Sequence, residues 1–277
     1  MKVFRLLVFL FGLLSASGLA ATRLESGEQQ VSLLELYTSE GCSSCPPAEN
    51  WLAQRYGKLD EWHRVVAVAF HVDYWDQLGW KDSFAKPEFT SRQQLYSASW
   101  KSGSVYTPCF VLNGQEWPGW FRGEALPSGQ QMVTGNLEAV VSGDTVEARF
   151  APATESKEYV VFVAPLALQT SSDVRAGENR GRHLNHNFVA LSLTSTKMES
   201  RDSAFAAVLQ VPLSSAQAIA IWITPDHCPV PIQAVGGLPP RNGPSINRVG
   251  VAEERDRITR RRISNKHTIL IHHLMGA

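Results

Sequence analysis

Two cysteines, Cys42 and Cys45, stand in a C-x-x-C spacing between an apolar run and a proline-started helical pattern. This order places a dithiol at the N-terminus of a helix, where unpaired backbone N–H groups and the positive end of the helix dipole stabilise a thiolate. Because thiolates carry out thiol-disulfide exchange, Cys42 is a candidate low-pKa nucleophile. Cys45 lies one helical turn further on, where it could resolve a mixed disulfide. The spacing therefore predicts a redox pair.

Two other interpretations of the cysteine pair stay open at this point. A stable structural disulfide has the same spacing, and two thiolates also suit Cu(I). No adjacent His or Met completes a copper site, and the sequence has no second C-x-x-C of the kind that holds structural zinc. We therefore expect no metal and no cofactor beyond the redox-active disulfide itself.

The chain contains two further cysteines, Cys109 and Cys228. They could form a second disulfide, an interdomain bridge or a pair of buried thiols, and the sequence does not choose among these. Cys109 enters an apolar strand, which is typical of a small buried hydrophobe. Cys228 follows His227, but adjacency in sequence does not make a hydrogen bond. We interpret Cys228 as an ordinary surface residue.

The first twenty residues have the pattern of a secretory signal peptide. Lys2 and Arg5 precede an apolar run over 6–14 and a stretch of small residues that ends at Ala20 and Ala21. The apolar run is shorter than the ~20 residues that a spanning helix needs. We therefore expect an exported protein, periplasmic or secreted, without a stable membrane anchor after cleavage of residues 1–20.

Charge is unevenly distributed along a chain whose formal net charge is zero. The body from Ala21 to Pro240 holds 16 basic and 23 acidic residues, a net charge of −7. A mildly acidic body argues against a nucleic-acid partner. Residues 239–277 are rich in arginine and lack a hydrophobic period, so we predict a basic, flexible tail there.

The elements around the dithiol alternate between strand and helix patterns. An apolar run leads into the C-x-x-C, and a second β-branched run follows the first helix, as in a buried parallel sheet. An Asn-Gly pair then signals a hairpin. The predicted elements are a strand over Val31–Tyr37, a helix over Pro46–Tyr56, a strand over Arg64–Val72, a helical segment over Phe84–Trp100, a strand over Cys109–Leu112, a turn at Asn113–Gly114 and a closing helix over Leu126–Ser142.

From Gly143 the periodicity changes to short alternating or apolar runs separated by turn-rich loops. Such runs predict an antiparallel sheet or half-sandwich, as a second layer or small domain. A long polar loop over 177–183 interrupts it, and long ordered loops are often functional. The predicted strands are Thr145–Phe150, Glu158–Ala164, Asn187–Leu193, Ala204–Val211 and Gln217–Ile223.

Four ordered segments carry a family resemblance: LLELYTSEGCSSCPPAENWL, FHVDYWDQLGWKDSFAKPEFTSRQQLYS, VYTPCFVLNG and GENRGRHLNHNFVA. They resemble the exported thioredoxin-like family catalogued as domain of unknown function 1223. The resemblance implies an α/β protein: a thioredoxin-like domain over 28–142 with a helical insert, and an antiparallel β-rich extension over 143–238. It brings no activity, because the function of that family is unassigned.

In thioredoxin-like folds the proline beside the dithiol is cis, and Pro108 occupies the matching place in this sequence. A cis X–Pro bond turns the chain so that the preceding residue can face the disulfide and an extended substrate. The resemblance therefore implies that Pro108 belongs to the catalytic set and that the Thr107 backbone contacts substrate. An ordinary trans turn is the alternative.

Three further groups of side chains could serve the dithiol. They are grouped by the role that their position suggests, and for each group a purely structural role is the alternative. Candidate substrate contacts are Ser43, Ser44 and Trp75; candidate proton-transfer groups at the carboxyl end of the second strand are His71, Asp73 and Asp76; candidate loop contacts are Glu178, Arg182 and His186.

These features together predict an exported thiol-disulfide oxidoreductase. Its partners would be proteins or small molecules that carry thiols or disulfides, together with a redox partner. The competing class is a non-catalytic thioredoxin-like binding module for a peptide, an apolar ligand or Cu(I), in which the cysteines only brace a groove.

Overall fold

The computed structural model describes residues 20–56, 59–127, 132–154 and 158–240. The predicted signal peptide and nearly all of the predicted basic tail lie outside these ranges. Within them, no helix combines the length and the apolar character needed to cross a bilayer.

The protein is a mixed α/β structure with few helices and many antiparallel strands. In the described residues the α-helices are α1 (Cys45–Tyr56) and α2 (Pro87–Ser99), and short 3-10 helices cover Leu59–His63, Asp73–Leu78 and Pro118–Arg122. The strands are β1 (Ala21–Glu25), β2 (Ser32–Thr38), β3 (Val65–His71), β4 (Cys109–Leu112), β5 (Gln115–Glu116), β6 (Gly135–Ser142), β7 (Thr145–Pro152), β8 (Tyr159–Ala167), β9 (Thr170–Asp173), β10 (His183–His186), β11 (Val189–Ala190), β12 (Thr194–Lys197), β13 (Glu199–Arg201), β14 (Ala204–Gln210), β15 (Ala218–Pro225) and β16 (Gln233–Gly237).

Two large sheets organise these strands. One has the order β16-β15-β8-β11-β3-β2-β4-β5, with β12 pairing β8, and the other has the order β1-β6-β7-β14-β13. Strands β9 and β10 form a separate antiparallel pair. Each large sheet combines strands from both sides of residue 142, because β8, β11 and β15 continue the sheet of β2 and β3 while β7 and β14 continue the sheet of β6.

The centre of the nine-stranded sheet positions the dithiol. Strand β2 pairs parallel with β3 and antiparallel with β4, and Tyr37 near the end of β2 faces Cys109 at the start of β4. Six of the seven residues in each of β2 and β3 are buried, as expected for strands covered on both faces. The C-x-x-C loop therefore begins beside the residues that precede β4.

Helix α1 places two chemically important side chains on its buried face. Its buried residues follow a helical spacing and include Cys45 and Glu49, four residues apart. Residues at i and i+4 lie one above the other on a helix, so Glu49 sits one turn below the second cysteine. Pro46 and Pro47 occupy the first turn, where their missing N–H groups cost no helical hydrogen bond.

The predicted closing helix over Leu126–Ser142 is wrong, because residues 126–127 and 132–134 are not helical and residues 135–142 form strand β6; residues 128–131 lie outside the described part of the chain. Alternate residues Leu137, Ala139 and Val141 are buried, which is the period of two that a strand requires. The β-branched pair Val140–Val141 also favours a strand over a helix. The period was misjudged because the same apolar residues fit a short helix equally well.

Most strands predicted for the second half form, but Asn187–Leu193 does not form one continuous strand. Only Val189 and Ala190 adopt strand geometry, and they bridge β3 and β8. Asn187 Oδ1 accepts a hydrogen bond from the Phe188 backbone N–H, and Phe188 has a positive φ of 59°. This local turn limits the strand to two residues.

A buried ion pair joins the helical segment to the sheet. Arg92 of α2 lies 2.6 Å from Glu35 of β2, and the two side chains are 4% and 1% exposed. Arg92 also donates to the Tyr96 hydroxyl at 2.8 Å. Its guanidinium lies 4.9 Å from the Trp222 ring centre and 5.2 Å from that of Phe162. One side chain thus connects α2, β2, β8 and β15.

Gly135 begins β6 at a φ of +114°, and a Cβ placed there would lie 2.2 Å from the Ala151 carbonyl oxygen. We expect Gly135→Ala to lower the free energy of unfolding by more than about 1 kcal/mol, because the conformation and the contact both exclude a side chain. Urea denaturation measures this. Gly143→Ala is the matched control: φ is +55° with no atom within 4 Å, so only the backbone cost applies. Equal losses in both variants would contradict the steric argument.

Candidate functional site

Cys42 and Cys45 lie in a tight turn between the end of β2 and the first residue of α1. The Cys42 backbone N–H donates to the Ser39 carbonyl at 3.1 Å, and the Cys45 N–H donates to the Cys42 carbonyl at 3.2 Å. The structure has both cysteines as thiols, 1% and 0% exposed. The pair is thus held by backbone hydrogen bonds and is almost completely covered.

Cys42 is the acidic member of the pair. A hydrogen bond from the Cys45 thiol to the Cys42 sulfur is the main reason that the pKa of Cys42 falls to about 6, and burial opposes it. Hydrogen bonds from Ser44 and Thr107 lower the pKa further, and the Ser44 hydroxyl lies 3.2 Å from the sulfur. At neutral pH this thiol is mostly ionised.

Cys45 has the opposite character. Burial raises the pKa of Cys45 well above its usual value, and the hydrogen bond and negative charge of Cys42 raise it further. Cys45 also contacts the hydroxyl of Thr38, which donates to Glu49 Oε1 at 2.6 Å. The protonated thiol, the Thr38 hydroxyl and a buried carboxylate thus lie next to one another.

The chain segment before β4 completes one side of the site. The Thr107–Pro108 peptide bond is cis, as the family resemblance implies. The Thr107 carbonyl oxygen lies 3.8 Å from Cys42 Sγ. Half-buried Trp75 donates from its indole N–H to Thr107 Oγ1 at 2.8 Å. Thr107, Pro108 and Trp75 thus gather beside the first cysteine.

The polar loop over 177–183 reaches the dithiol from the second half of the chain. Glu178 accepts a hydrogen bond from the Ser43 backbone N–H at 3.0 Å. Asn179 is fully buried and donates to the carbonyls of Glu40 and Cys42 at 2.8 and 2.9 Å. Arg182 donates to Asn179 Oδ1 at 2.7 Å and so orients that amide without touching the cysteines.

Buried carboxylates and imidazoles pack behind the turn. His186 Nδ1 lies 2.5 Å from Glu49 and its Nε2 lies 3.3 Å from Glu40, while His71 Nδ1 lies 2.7 Å from Asp82. Burial disfavours the charged imidazolium, but pairing with Glu40 and Glu49 raises the pKa of His186 to about 10. The contact with His186 fixes the Glu49 carboxylate that accepts the hydrogen bond of Thr38.

The candidate proton-transfer groups have other partners. Asp73 accepts a hydrogen bond from Thr90 of α2 at 2.5 Å, and Asp76 accepts one from the Asp82 backbone N–H at 3.1 Å. His71 pairs with Asp82. In the described part of the chain, none of the three donates to or accepts from a cysteine sulfur. Asp73 instead holds the segment after β3 to α2, and Asp82, the partner of His71, accepts a hydrogen bond from the Glu40 backbone N–H.

The sequence interpretation missed Thr38, Glu40, Glu49, Asp82 and Asn179. The helical spacing of four between Cys45 and Glu49 was the one signal that could have found a member of this group. His186 was predicted as a loop contact, but it lies on β10 with its side chain fully buried. A polar residue at a buried position is not visible in a single sequence.

The other two cysteines do not take part in the pair. Cys109 is buried, and burial raises its pKa to about 12, as expected for a small core residue. Cys228 is half-buried, with its backbone N–H donating to the Pro225 carbonyl.

Comparison with known proteins identifies a family and two related folds. The family described as Protein of unknown function (DUF1223) matches residues 33–224. An X-ray structure of a structural genomics target from Agrobacterium tumefaciens shares 24% identity at a TM-score of 0.54, covering 78% of this chain and 97% of the other. HBP35 of Porphyromonas gingivalis shares 16% identity at a TM-score of 0.55, covering 79% and 78%. These two likenesses concern the fold alone.

No match was found among curated proteins. The family match spans more than half of the chain and includes the C-x-x-C turn, the segment before β4 and the loop that carries Asn179. The chain therefore belongs to the DUF1223 family of proteins of unknown function.

Proposed function

We propose that this protein is an exported thiol-disulfide oxidoreductase with Cys42 as its nucleophile and Cys45 as its resolving thiol. The observation that carries the proposal is the opposed acidity of the pair: one thiol has a pKa near 6 and the other is held protonated. A reactive dithiol needs this difference, because one sulfur must attack while the other waits. A purely structural pair has no need of it.

The proposed exchange proceeds in two displacements. The Cys42 thiolate attacks a substrate disulfide, the substrate S–S bond breaks, and one substrate sulfur leaves as a thiolate. Cys45 then passes its proton through Thr38 to Glu49 and attacks the Cys42 sulfur, which releases the second substrate thiolate. The substrate gains two electrons and the protein ends as the Cys42–Cys45 disulfide. The reverse sequence oxidises a substrate dithiol, and a partner dithiol or disulfide resets the protein.

We propose that β2, α1, β3 and β4 form the core of a thioredoxin-like fold, with residues 72–108 as its helical insert. Support comes from the strand–dithiol–helix order, the parallel β2–β3 pair and the antiparallel β4 that follows a cis-proline. On this assignment, substrate backbone lies along Thr107. The exposed residues Ser43 and Ser44, with Trp75, form the rim that a substrate meets first.

A second candidate function follows from the burial of Cys42. At 1% exposure, its sulfur meets a substrate only after neighbouring side chains move aside. Trp75 is one such neighbour, since a Cβ on Gly41 would be 3.1 Å from the Trp75 Cβ. If Cys42 and Cys45 were permanently covered, the protein would be a binding module in which the two cysteines only stabilise the structure.

Exchange with 2,2′-dipyridyl disulfide between pH 4 and pH 9 separates the two candidates. For the reduced Cys228→Ser protein we expect two thiopyridones per chain and a rate that rises with pH to a plateau, with a midpoint near pH 6. Because of the lowered pKa, most of the thiol is already ionised at neutral pH. Ser44→Ala removes a hydrogen bond to the thiolate and should move the midpoint upward. Slow release of thiopyridone, with a midpoint near the pKa of ~8.5 of free cysteine, would favour the second candidate, a binding module in which the cysteines have only a structural role.

A further inference from the structure

Two buried imidazoles near the dithiol have the same arrangement of partners. His71 and His186 each direct Nδ1 at a carboxylate, Asp82 at 2.7 Å and Glu49 at 2.5 Å. The Nε2 atom of His71 is buried and has no hydrogen-bond partner among the described residues, whereas Nε2 of His186 faces the Glu40 carboxylate at 3.3 Å. A buried polar atom without a partner is costly, so the His71 Nε2 atom calls for an explanation.

The donor atoms in this cluster are those of a transition-metal site. One ligand atom each of Glu49, His71 and His186 lies within 4.8 Å of the other two. Two imidazoles and a carboxylate are a known donor set for Zn²⁺ and similar divalent ions. Metal-bound histidines also commonly donate their second ring nitrogen to a carboxylate, which is the arrangement of His71 with Asp82.

We propose that Glu49, His71 and His186 bind one divalent transition-metal ion, with Zn²⁺ as the best fit to the donor set. In a tetrahedral site with bonds of ~2.1 Å, ligand atoms lie about 3.4 Å apart. The three donor atoms lie within 4.8 Å of one another, so small rotations of the side chains would have to adjust their spacing to this value. A zinc ion has no redox chemistry of its own, so it would not take part in the electron transfer at the dithiol.

Charge in the cluster favours a cation. Three buried carboxylates, of Glu40, Glu49 and Asp82, surround the two imidazoles. Glu40 Oε1 lies 3.3 Å from His186 Nε2. A divalent ion would add positive charge among these carboxylates, and its binding free energy would add to folding stability.

The position of the three donors gives the ion a mechanical role. Glu49 belongs to α1, His71 ends β3 and His186 ends β10. A single ion would therefore cross-link the helix that carries Cys45 to two strands, one of which comes from the second half of the chain. Since the donors are sealed from solvent, we expect the ion to enter during folding rather than by diffusion into the native protein.

Metal content after refolding tests the site. The Cys42→Ser/Cys45→Ser/Cys228→Ser protein lacks the reactive thiols, so a failure of the oxidoreductase proposal does not affect the result. It is refolded from urea with equimolar Zn²⁺, passed over a desalting column and assayed for zinc and thermal midpoint. We expect one zinc per chain, a higher midpoint than after refolding with a chelator, and visible d–d absorption when Co²⁺ replaces Zn²⁺.

Variants of single histidines locate the ion. His71→Gln and His186→Gln should each lower retention at least about 10-fold. His183→Gln is the matched control on β10, because that ring is exposed and pairs with Asp173. His227→Gln removes an exposed group of Glu158, Asp226 and His227 that has similar spacing, and it should retain the ion.

Either of two outcomes would overturn the proposal: a folded parent that retains no zinc, or folded His71→Gln and His186→Gln proteins that retain as much zinc as the parent. If those two variants do not fold, the test rests on zinc retention by the parent protein and by the His183→Gln and His227→Gln proteins. Stoichiometric zinc that survives both control substitutions supports the buried site, and zinc lost with His227→Gln refutes it.

Discussion

Cys42→Ser will abolish disulfide exchange, whereas Cys45→Ser will complete the first attack and hold the substrate as a mixed disulfide. A serine hydroxyl does not ionise at neutral pH, so the rate with a disulfide-bonded peptide should fall by about 10³-fold or more. In Cys45→Ser the nucleophile remains, but no thiol displaces the bound substrate. Mass spectrometry of the intact protein should show one covalently attached peptide.

Two other thiols provide the controls for this result. Cys228→Ser alters a half-buried cysteine outside the pair, and Cys109→Ala alters a core cysteine whose pKa burial raises to about 12. Both variants should exchange at the parental rate. A Cys42→Ser protein that still exchanges, or a Cys45→Ser protein that carries no adduct, would rule out the assigned roles. Because removal of Cys45 also removes its hydrogen bond to Cys42, the attack in Cys45→Ser should need a higher pH than in the parent.

Arg92→Leu will lower the free energy of unfolding by about 3–5 kcal/mol, the cost of breaking a buried ion pair from one side. The substitution leaves Glu35 buried without its counter-charge, and burial already raises the pKa of that carboxyl in the intact pair. It also removes the cation from the faces of four aromatic rings, those of Phe70, Tyr96, Phe162 and Trp222. Urea denaturation of the reduced protein at neutral pH measures the loss.

The double variant Glu35→Leu/Arg92→Leu separates charge from packing. Replacing both partners removes the stranded carboxylate, so this protein should be clearly more stable than Arg92→Leu alone. Arg122→Leu breaks an exposed pair with Glu124 and should change stability little. If the double variant were as unstable as the single one, the loss would lie in packing around the guanidinium and not in the unpaired charge.

Local signals in the sequence predicted the elements that hold the dithiol. The apolar runs of β2 and β3, the proline-started α1 and the Asn113–Gly114 turn lie within a residue or two of their predicted bounds. Each of these elements depends on side chains that are only a few residues apart, and such short-range preferences can be recognised in a single sequence. The place of Pro108 came from family resemblance, since nothing local distinguishes a cis from a trans proline.

The rest of the site could not be predicted because it depends on contacts between distant residues. Asn179 donates a hydrogen bond to the Cys42 carbonyl, and His186 pairs with Glu49; in both cases the two residues are 137 positions apart in the sequence. Patterning shows that a residue is polar, but not that a fold buries it. The misassignment of β6 has a different origin, since its alternating burial and its hairpin partner β7 are local, and the same apolar residues also fit a helical spacing.

The interleaving of strands from both halves of the chain has a consequence for biosynthesis. When synthesis has reached residue 142, the C-x-x-C turn and α1 have been made. Strand β3 still lacks its neighbour β11, and the turn still lacks its hydrogen bonds from Asn179. The N-terminal half therefore exposes the unpaired edge of β3, and the C-x-x-C turn lacks its support from Asn179, until about fifty more residues have been made. The finished turn therefore forms late, because it depends on residues from the second half of the chain, and we expect a fragment ending at residue 142 to aggregate instead of folding as an independent domain.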